Sequence, residues 1–478
     1  MDAVALRGLL PELEVFVKQF ADCFSDSRSR EHLPVYLRGQ LSDLDRKSVE
    51  PMALRSGLPP RTLQEFLSQL SWDHLRLRDR VQEVVAAEHL ASGGTSVGLL
   101  DETSFVKKGT RTPGVQRQWC GHQGKVENCV VTVHLGIAAG EFQCLLDGDL
   151  FLPESWDQDR ERCRAAGIPD DVVYRPKWRI GLEQYDRAIA HGIRLDWLTV
   201  DEGYGGKPDF LRGLSQRKQK WVAEVPKNVC GWLTEPSVTT RPRRTGSRGR
   251  RATKPRLVKG SAPARRLDVL LPRHPKLRDQ PWQRYRLDDR EQGPSVWDAK
   301  RVTIFLPNDR GLPGEQRHLI VARHVLTQGE VKYFLSDAPA ETPTETLLWV
   351  ALTRHRVERC FQDQKTELGL DHYEGRKYVG LMRHLYLTLV SHLFLMRAVL
   401  RRRGEKSGVD RAANPPRHGS ANHRQVASRS RLEHVANATG PRTRIPPTTQ
   451  HRRTPVPQQS HSPKTPAERH QTLGNITM

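Results

Sequence analysis

The chain has 478 residues and a formal charge of +22, with 77 Lys and Arg against 55 Asp and Glu. That length predicts two or three domains. The charge predicts a polyanionic partner, nucleic acid before an anionic membrane surface, and argues against a glycosidase built on paired carboxylates.

The first residues lack the charged-then-apolar pattern of a signal peptide. Seven cysteines (Cys23, Cys120, Cys129, Cys144, Cys163, Cys230, Cys360) form no Cys-x2-Cys pair, which predicts reduced thiols in an intracellular protein without a zinc site. Residues 4 to about 90 read as helical, with Leu9, Leu13, Phe16, Val17 and Phe20 at helical spacing. From Val49 to Leu67 a short helix, a Gly-containing turn and a second helix opened by Pro60-Arg61-Thr62 match a helix-turn-helix. Arg61, Thr62 and Gln64 then stand at the start of the recognition helix, although an ordinary helical hairpin shares the pattern.

From Ser96 the pattern changes. Val97 to Asp101 is an apolar run ending in an acid. Cys129 to Ile137 and Phe142 to Leu152 are strand-like and joined by a hairpin at Ala138-Ala139-Gly140-Glu141. A helix follows around Gly181 to Ala190, and Trp197 to Asp201 repeats the apolar run ending in Asp. A helix from Pro208 to about Gln216 and a strand at Trp221 to Val225 complete an order that predicts a mixed sheet with helices on both faces. Residues 237–266 carry eleven Lys or Arg and no acid. They predict a disordered or barely ordered basic loop that meets phosphate, a solvated linker being the plain alternative. Strand-like pieces at Arg301 to Leu306, His318 to Val325 and Val331 to Leu335 predict a small β-rich insertion.

The segment Arg354 to Lys365 reads as a helix with Arg354, Glu358, Phe361 and Lys365 on one face. Leu385 to Leu400 is too short and too polar, with His392 and Arg397, to span a bilayer and predicts a buried helix. This helix is expected to stop at Arg401-Arg402-Arg403-Gly404. Residues 401–478 hold fifteen Lys or Arg, four acids and nine prolines, without Phe, Trp or Tyr. They predict a disordered tail, either a DNA-gripping arm or a stretch of little function.

Three acids carry the chemistry. Asp101 and Asp201 each end an apolar strand, where ligand sites of such sheets lie, and Glu358 arrives on a later helix. Singly, each has a plain reading: a turn cap for either Asp, an ion-pair partner of Arg354 for Glu358. Together they predict a carboxylate cluster that a divalent cation would relieve, Mg²⁺ or Mn²⁺ by ligand hardness. Two such ions suit in-line attack on a phosphodiester.

With these pieces the chain resembles the DDE transposases of bacterial insertion sequences, in the group marked by a Tyr-x2-Arg-x3-Glu-x6-Lys signature. The matching stretches are Leu99 to Gly109, Gln118 to Cys129, Val200 to Gly205, Arg354 to Lys365 and Leu368 to Glu374, within a resemblance from about Leu63 to Leu400. It implies an α/β fold with an RNase H-like, retroviral-integrase-type mixed-sheet catalytic core. The implied layout is a helical DNA-binding domain (1–92), the first part of the core (93–230), the basic loop and β-rich insertion (231–340), the helices carrying Glu358 (341–400) and the disordered tail (401–478). It implies that Asp101, Asp201 and Glu358 are catalytic metal ligands, and that Arg354 and Lys365 contact phosphates of the transposon end. The signature's Tyr falls on Ala351. Lys107 and Lys108 are further candidates for holding DNA. An aromatic of the insertion would hold a flipped base, with Trp297 and Trp282 as candidates and a core tryptophan as the plain reading of each. The implied partners are transposon-end and target DNA, with a homodimer formed on DNA, in a cytoplasmic, nucleoid-associated bacterial protein. The alternatives are a DNA-binding relic that no longer cuts and a nuclease without strand transfer.

Overall fold

A computed structural model of the chain describes residues 9–88, 94–240, 254–290, 293–326 and 331–413. The tail expected to be disordered lies outside them from residue 414 onward, as does the arginine-rich centre of the basic loop.

Among the described residues, helices α1 (Leu10–Val17), α2 (Ser27–Gln40), α3 (Val49–Arg55), α4 (Pro60–Ser68) and α5 (His74–Glu88) precede the first strand. Asp26 caps α2, its carboxylate accepting from the Ser29 amide at 2.8 Å. Helix α4 opens on Pro60 and buries Leu63, Phe66 and Leu67, which leaves Arg61 and Gln64 exposed. The N-terminal helices share their core with the last helix of the described chain, Tyr378–Ala413. Buried polar bonds fasten them together: Tyr36 Oη to His384 Nδ1 at 2.7 Å, and Gln40 to Thr388 and Ser391 at 2.8 and 2.7 Å. Arg383 donates to the carbonyls of Phe66, Leu67 and Trp72.

Ten strands form one mixed sheet. They are β1 (Ser96–Val106), β2 (Gln116–Cys120), β3 (Lys125–Ala139), β4 (Phe142–Leu150), β5 (Trp197–Val200), β6 (Trp221–Val225), β7 (Gln283–Arg290), β8 (Gly293–Pro307), β9 (Pro313–His324) and β10 (Lys332–Ser336). The order is β7-β8-β9-β10-β6-β5-β1-β3, with β2 and β4 sharing the outer edge of β3. Strands β1, β5 and β6 are parallel neighbours, and β3 runs antiparallel to β1. The strands expected as an insertion therefore extend the same sheet, through the antiparallel pairing of β10 with β6.

Helices α6 (Lys177–Ala190), α7 (Glu202–Gly205) and α8 (Pro208–Gln216) connect the parallel strands, and α9 (Thr344–Thr353) and α10 (His355–Thr366) lead to the last helix, α11 (Tyr378–Ala413). In α7, Gly205 presses against β6 so closely that a Cβ there would run into the carbonyl of Glu224.

One expectation about the elements is corrected. Helix α11 does not stop at Arg401–Gly404 but runs on to Ala413; one glycine costs a helix only about 1 kcal/mol, and the Arg, Glu and Lys around it are good helix formers. The basic segment is barely ordered where it is described: Val238–Thr239 pairs with Arg256–Leu257 and Cys230–Gly231 with Arg265–Arg266. Within α11, Tyr378–Arg402 is long and apolar enough to cross a bilayer, yet 89% of its most apolar window is buried in the protein.

Candidate active site

Parallel pairing of β1 with β5 sets Leu99 beside Thr199 and Leu100 beside Val200, so Asp101 and Asp201 come side by side where β5 ends. Asp101 does not end its strand as expected, because β1 runs on to Val106 paired with β3. Asp201 caps α7, its Oδ1 accepting from the Tyr204 amide at 3.2 Å. Asp101 Oδ1 accepts from the Glu102 amide at 2.7 Å. Burial pushes the Asp101 carboxyl up to about 7, the nearby Asp201 charge adds to the shift, and Arg354 opposes it.

Arg354 sits at the junction of α9 and α10. Its Nη1 donates to Asp101 Oδ2 at 2.9 Å and its Nη2 to Glu358 Oε1 at 2.6 Å. The Glu358 side chain itself is 59% exposed. The structure thus brings Asp101 and Asp201 together and links Glu358 to them through a guanidinium. Among the described residues, no three Asp, Glu, His or Cys side chains stand close enough to hold a metal ion.

Helix α10 is fixed over the sheet at the level of the acids. Phe361 packs edge-on against His134, ring centroids 5.3 Å apart, and His134 is the cross-strand partner of Asp101. Lys365 Nζ donates to the Ser104 carbonyl of β1 at 3.0 Å and lies 5.6 Å from the Phe105 ring. Lys107 is also turned inward, donating to the carbonyls of Asp371 and Tyr373 at 3.0 and 2.6 Å, and burial lowers its ammonium to about 8. Lys108 is exposed. So is Arg61, which pairs with Glu65 at 2.6 Å far along the chain from the acids. Ala351, at the signature's Tyr position, is buried.

Neither tryptophan expected to hold a base is presented to solvent. Trp297 is 8% exposed, its indole N–H donating to Ser295 Oγ at 3.1 Å. Trp282 is half-buried between Lys300 and Arg323, which lie 4.8 and 4.3 Å from its ring. The Trp297 ring is buried against His324, and the part-exposed Trp282 ring already carries two cations.

The structure adds residues that the sequence reading passed over. A cleft of about 400 Å³ beside Asp201 is lined by Glu102, Lys177, Tyr204 and Lys207 among others. Lys177 Nζ donates to Glu102 Oε1 at 2.5 Å, and the Tyr204 hydroxyl donates to Glu102 Oε2 at 3.4 Å. The available signal was the Asp-Glu doublet that follows both apolar runs, Asp101-Glu102 and Asp201-Glu202. Glu102 is thus held by a cation and a phenol at the margin of the cleft beside Asp201.

A family model described as DDE superfamily endonuclease matches residues 19–294, more than half of the chain. The matched stretch contains Asp101 and Asp201 and ends before Glu358. Over 220 residues the chain is 28% identical to a probable transposase for insertion sequence element IS701 from Microchaete diplosiphon, a match covering 45% of this chain and 54% of that one. The chain thus spans about half the length of that curated relative.

Proposed function

This chain belongs to the DDE superfamily of endonucleases, and from that premise we propose that it is the transposase of an insertion sequence, cutting DNA at the element's ends and joining them to a target. The observation that carries the reading is the convergence of Asp101, within β1, and Asp201, just past the end of the adjacent parallel β5, with Asp101 shifted to about 7 by burial and by its neighbour. The strand order β4-β3-β1-β5-β6 supports an RNase H-like core.

Paired carboxylates fit Mg²⁺ or Mn²⁺, which would favour the ionised form of Asp101 against its burial. Asp101 and Asp201 are the proposed holders, with Glu358 as the third acid. When bound, such ions supply stabilisation of the attacking and leaving oxygens of a phosphodiester. The protein's own groups orient the strand. Lys207 stands at the mouth of the cleft, and Arg354 carries two hydrogen-bonding faces that suit a phosphate as well as they suit carboxylates. The net charge of +22 supports transposon-end and target DNA as partners. A homodimer assembled on that DNA and a place in the cytoplasm with the nucleoid belong to the same proposal.

The test is cleavage of a short duplex carrying the native element end, with Mg²⁺ and with EDTA, by the wild type and by Glu358→Gln and Asp101→Asn. Metal-dependent cutting by the wild type alone is expected, with joined products on adding target DNA. Binding of the end without cutting by any of the three would overturn the enzyme reading and leave a DNA-binding relic. Cutting without joining would leave a nuclease.

A further inference from the structure

The chain has ten Trp, nine Tyr and twelve Phe. All of them lie in the described part of the protein, and Trp119 alone is exposed. Its relative exposure is 60%, and its cross-strand partner Val126 is 50% exposed. Holding an indole and a valine side by side in water on a regular ladder forgoes burial that every other aromatic ring achieves, and an exposed apolar patch of this kind marks a contact surface.

The surroundings of the pair name the partner. Residues directly opposite on an antiparallel ladder share a face. Arg117 and Asn128, paired with each other, therefore lie on the face of Trp119 and Val126. Glu127, the one acid between Val106 and Asn128, lies on the opposite face, where Lys125 approaches it at 3.4 Å. Asn128 Nδ2 donates to the carbonyls of Lys107 and Gly109 at 2.6 and 2.9 Å, which folds the turn bearing exposed Lys108 against the same end of the hairpin. Among the residues of β2 and β3, a flat aromatic thus shares its face with a guanidinium and no carboxylate, although the Arg117 charge still reaches Glu127. That pairing matches a nucleobase stacked on the ring with its phosphate on the arginine.

We propose that the β2–β3 hairpin is a contact site for an unpaired nucleobase of DNA, with Trp119 as the stacking platform and Arg117 as the phosphate contact. The proposal rests on the reading of the chain as a DNA-acting protein and adds a contact remote from the acids. Val126 precedes His134, the partner of Asp101, by eight positions on β3, about 26 Å of strand, or roughly eight nucleotide steps along a DNA strand.

The experiment uses the full chain in EDTA, so that its outcome is independent of cutting. A dT12 oligonucleotide is titrated into the wild type, Trp119→Phe, Trp119→Ala and Arg117→Gln while intrinsic fluorescence and its quenching by acrylamide are followed. The expected result is a fluorescence change that Trp119→Phe abolishes while retaining most of the affinity. Trp119→Ala is expected to melt like the wild type and to bind about tenfold more weakly or worse. Its salt slope should be unchanged, whereas Arg117→Gln lowers the slope by about 0.7. Wild-type affinity in Trp119→Ala would overturn the proposal. So would equal dependence on Trp119 for a duplex, or protection of Trp119 from acrylamide that grows with protein concentration without DNA, which would assign the patch to a second copy of the chain.

Discussion

Arg354 and Asp101 meet guanidinium to carboxylate at 2.9 Å, at the point where Asp101 already faces Asp201. The arginine opposes a shift driven by burial and by the second acid. Between about pH 4 and pH 7 the folded state holds a proton on Asp101 that the unfolded chain has lost, so this group's contribution to stability falls as pH rises through that window. Removing the arginine moves the folded-state value higher and enlarges the penalty at alkaline pH. Arg354→Gln in EDTA is expected to lose about 1–3 kcal/mol of unfolding free energy at pH 8, less at pH 5, and to recover part of it with Mg²⁺. Equal losses at both pH values in urea titrations would show that the arginine acts through packing alone.

The same carboxyl sets the pH dependence of metal binding. A metal ligand must be ionised, and Asp101 titrates near 7 in the metal-free protein. Calorimetric titration with Mn²⁺ is expected to give an affinity about tenfold lower at pH 6 than at pH 8. Asp101→Asn should bind weakly at both, with the slope gone. A flat profile in the wild type would place the metal elsewhere.

The two acids were legible because each follows a short apolar run, Val97 to Leu100 and Trp197 to Val200, that suits a buried strand. That β1 continues past Asp101 to Val106 was not, because the polar Glu102, Thr103 and Ser104 break the apolar run. The helix carrying Glu358 was legible too, but its proposed stripe divides in the structure: Glu358 faces solvent, Phe361 is buried and Lys365 reaches β1. At about 100° per residue, positions 358 and 361 differ by roughly 60° around the axis, enough to separate sheet from water. Strand β7 escaped notice because Gln283–Arg290 carries five charges in eight residues and sits at the sheet's edge, where one face needs no apolar pattern. Long-range capping, such as Lys107 on Asp371 and Tyr373, leaves no local trace in a sequence at all.

Behind the acids, α6 is anchored by a buried charge network. Arg187 Nε donates to Asp147 Oδ2 at 2.9 Å and its Nη2 to Asp149, both on β4. Burial pushes the Asp147 carboxyl up even so; at Asp149 burial pushes the same way but Arg187 outweighs it and holds the group low. Arg187→Met leaves two buried carboxylates without their partner, and a loss of about 3–5 kcal/mol is expected at pH 7. The loss should shrink toward pH 4, where protonation removes the unpaired charge. Chemical denaturation across that range checks it; a loss under 1 kcal/mol at pH 7 would mean that Arg78 or solvent takes over the pairing.

Lys365 offers the sharpest separation of roles. As a phosphate contact it would add about 0.9 to the salt slope of DNA binding. In the structure its ammonium is instead spent on the Ser104 carbonyl, three residues past Asp101, tying α10 to β1. Lys365→Met keeps the stem and removes the donor. It is expected to lower unfolding free energy by about 1–3 kcal/mol and to leave the salt slope of end-DNA binding unchanged. Exposed Lys108 is the contrast: Lys108→Met should leave stability unchanged and flatten the slope by about one contact. If Lys365→Met flattens the slope at unaltered stability, its ammonium leaves Ser104 when DNA arrives, and the tie between α10 and β1 is made only in the free protein.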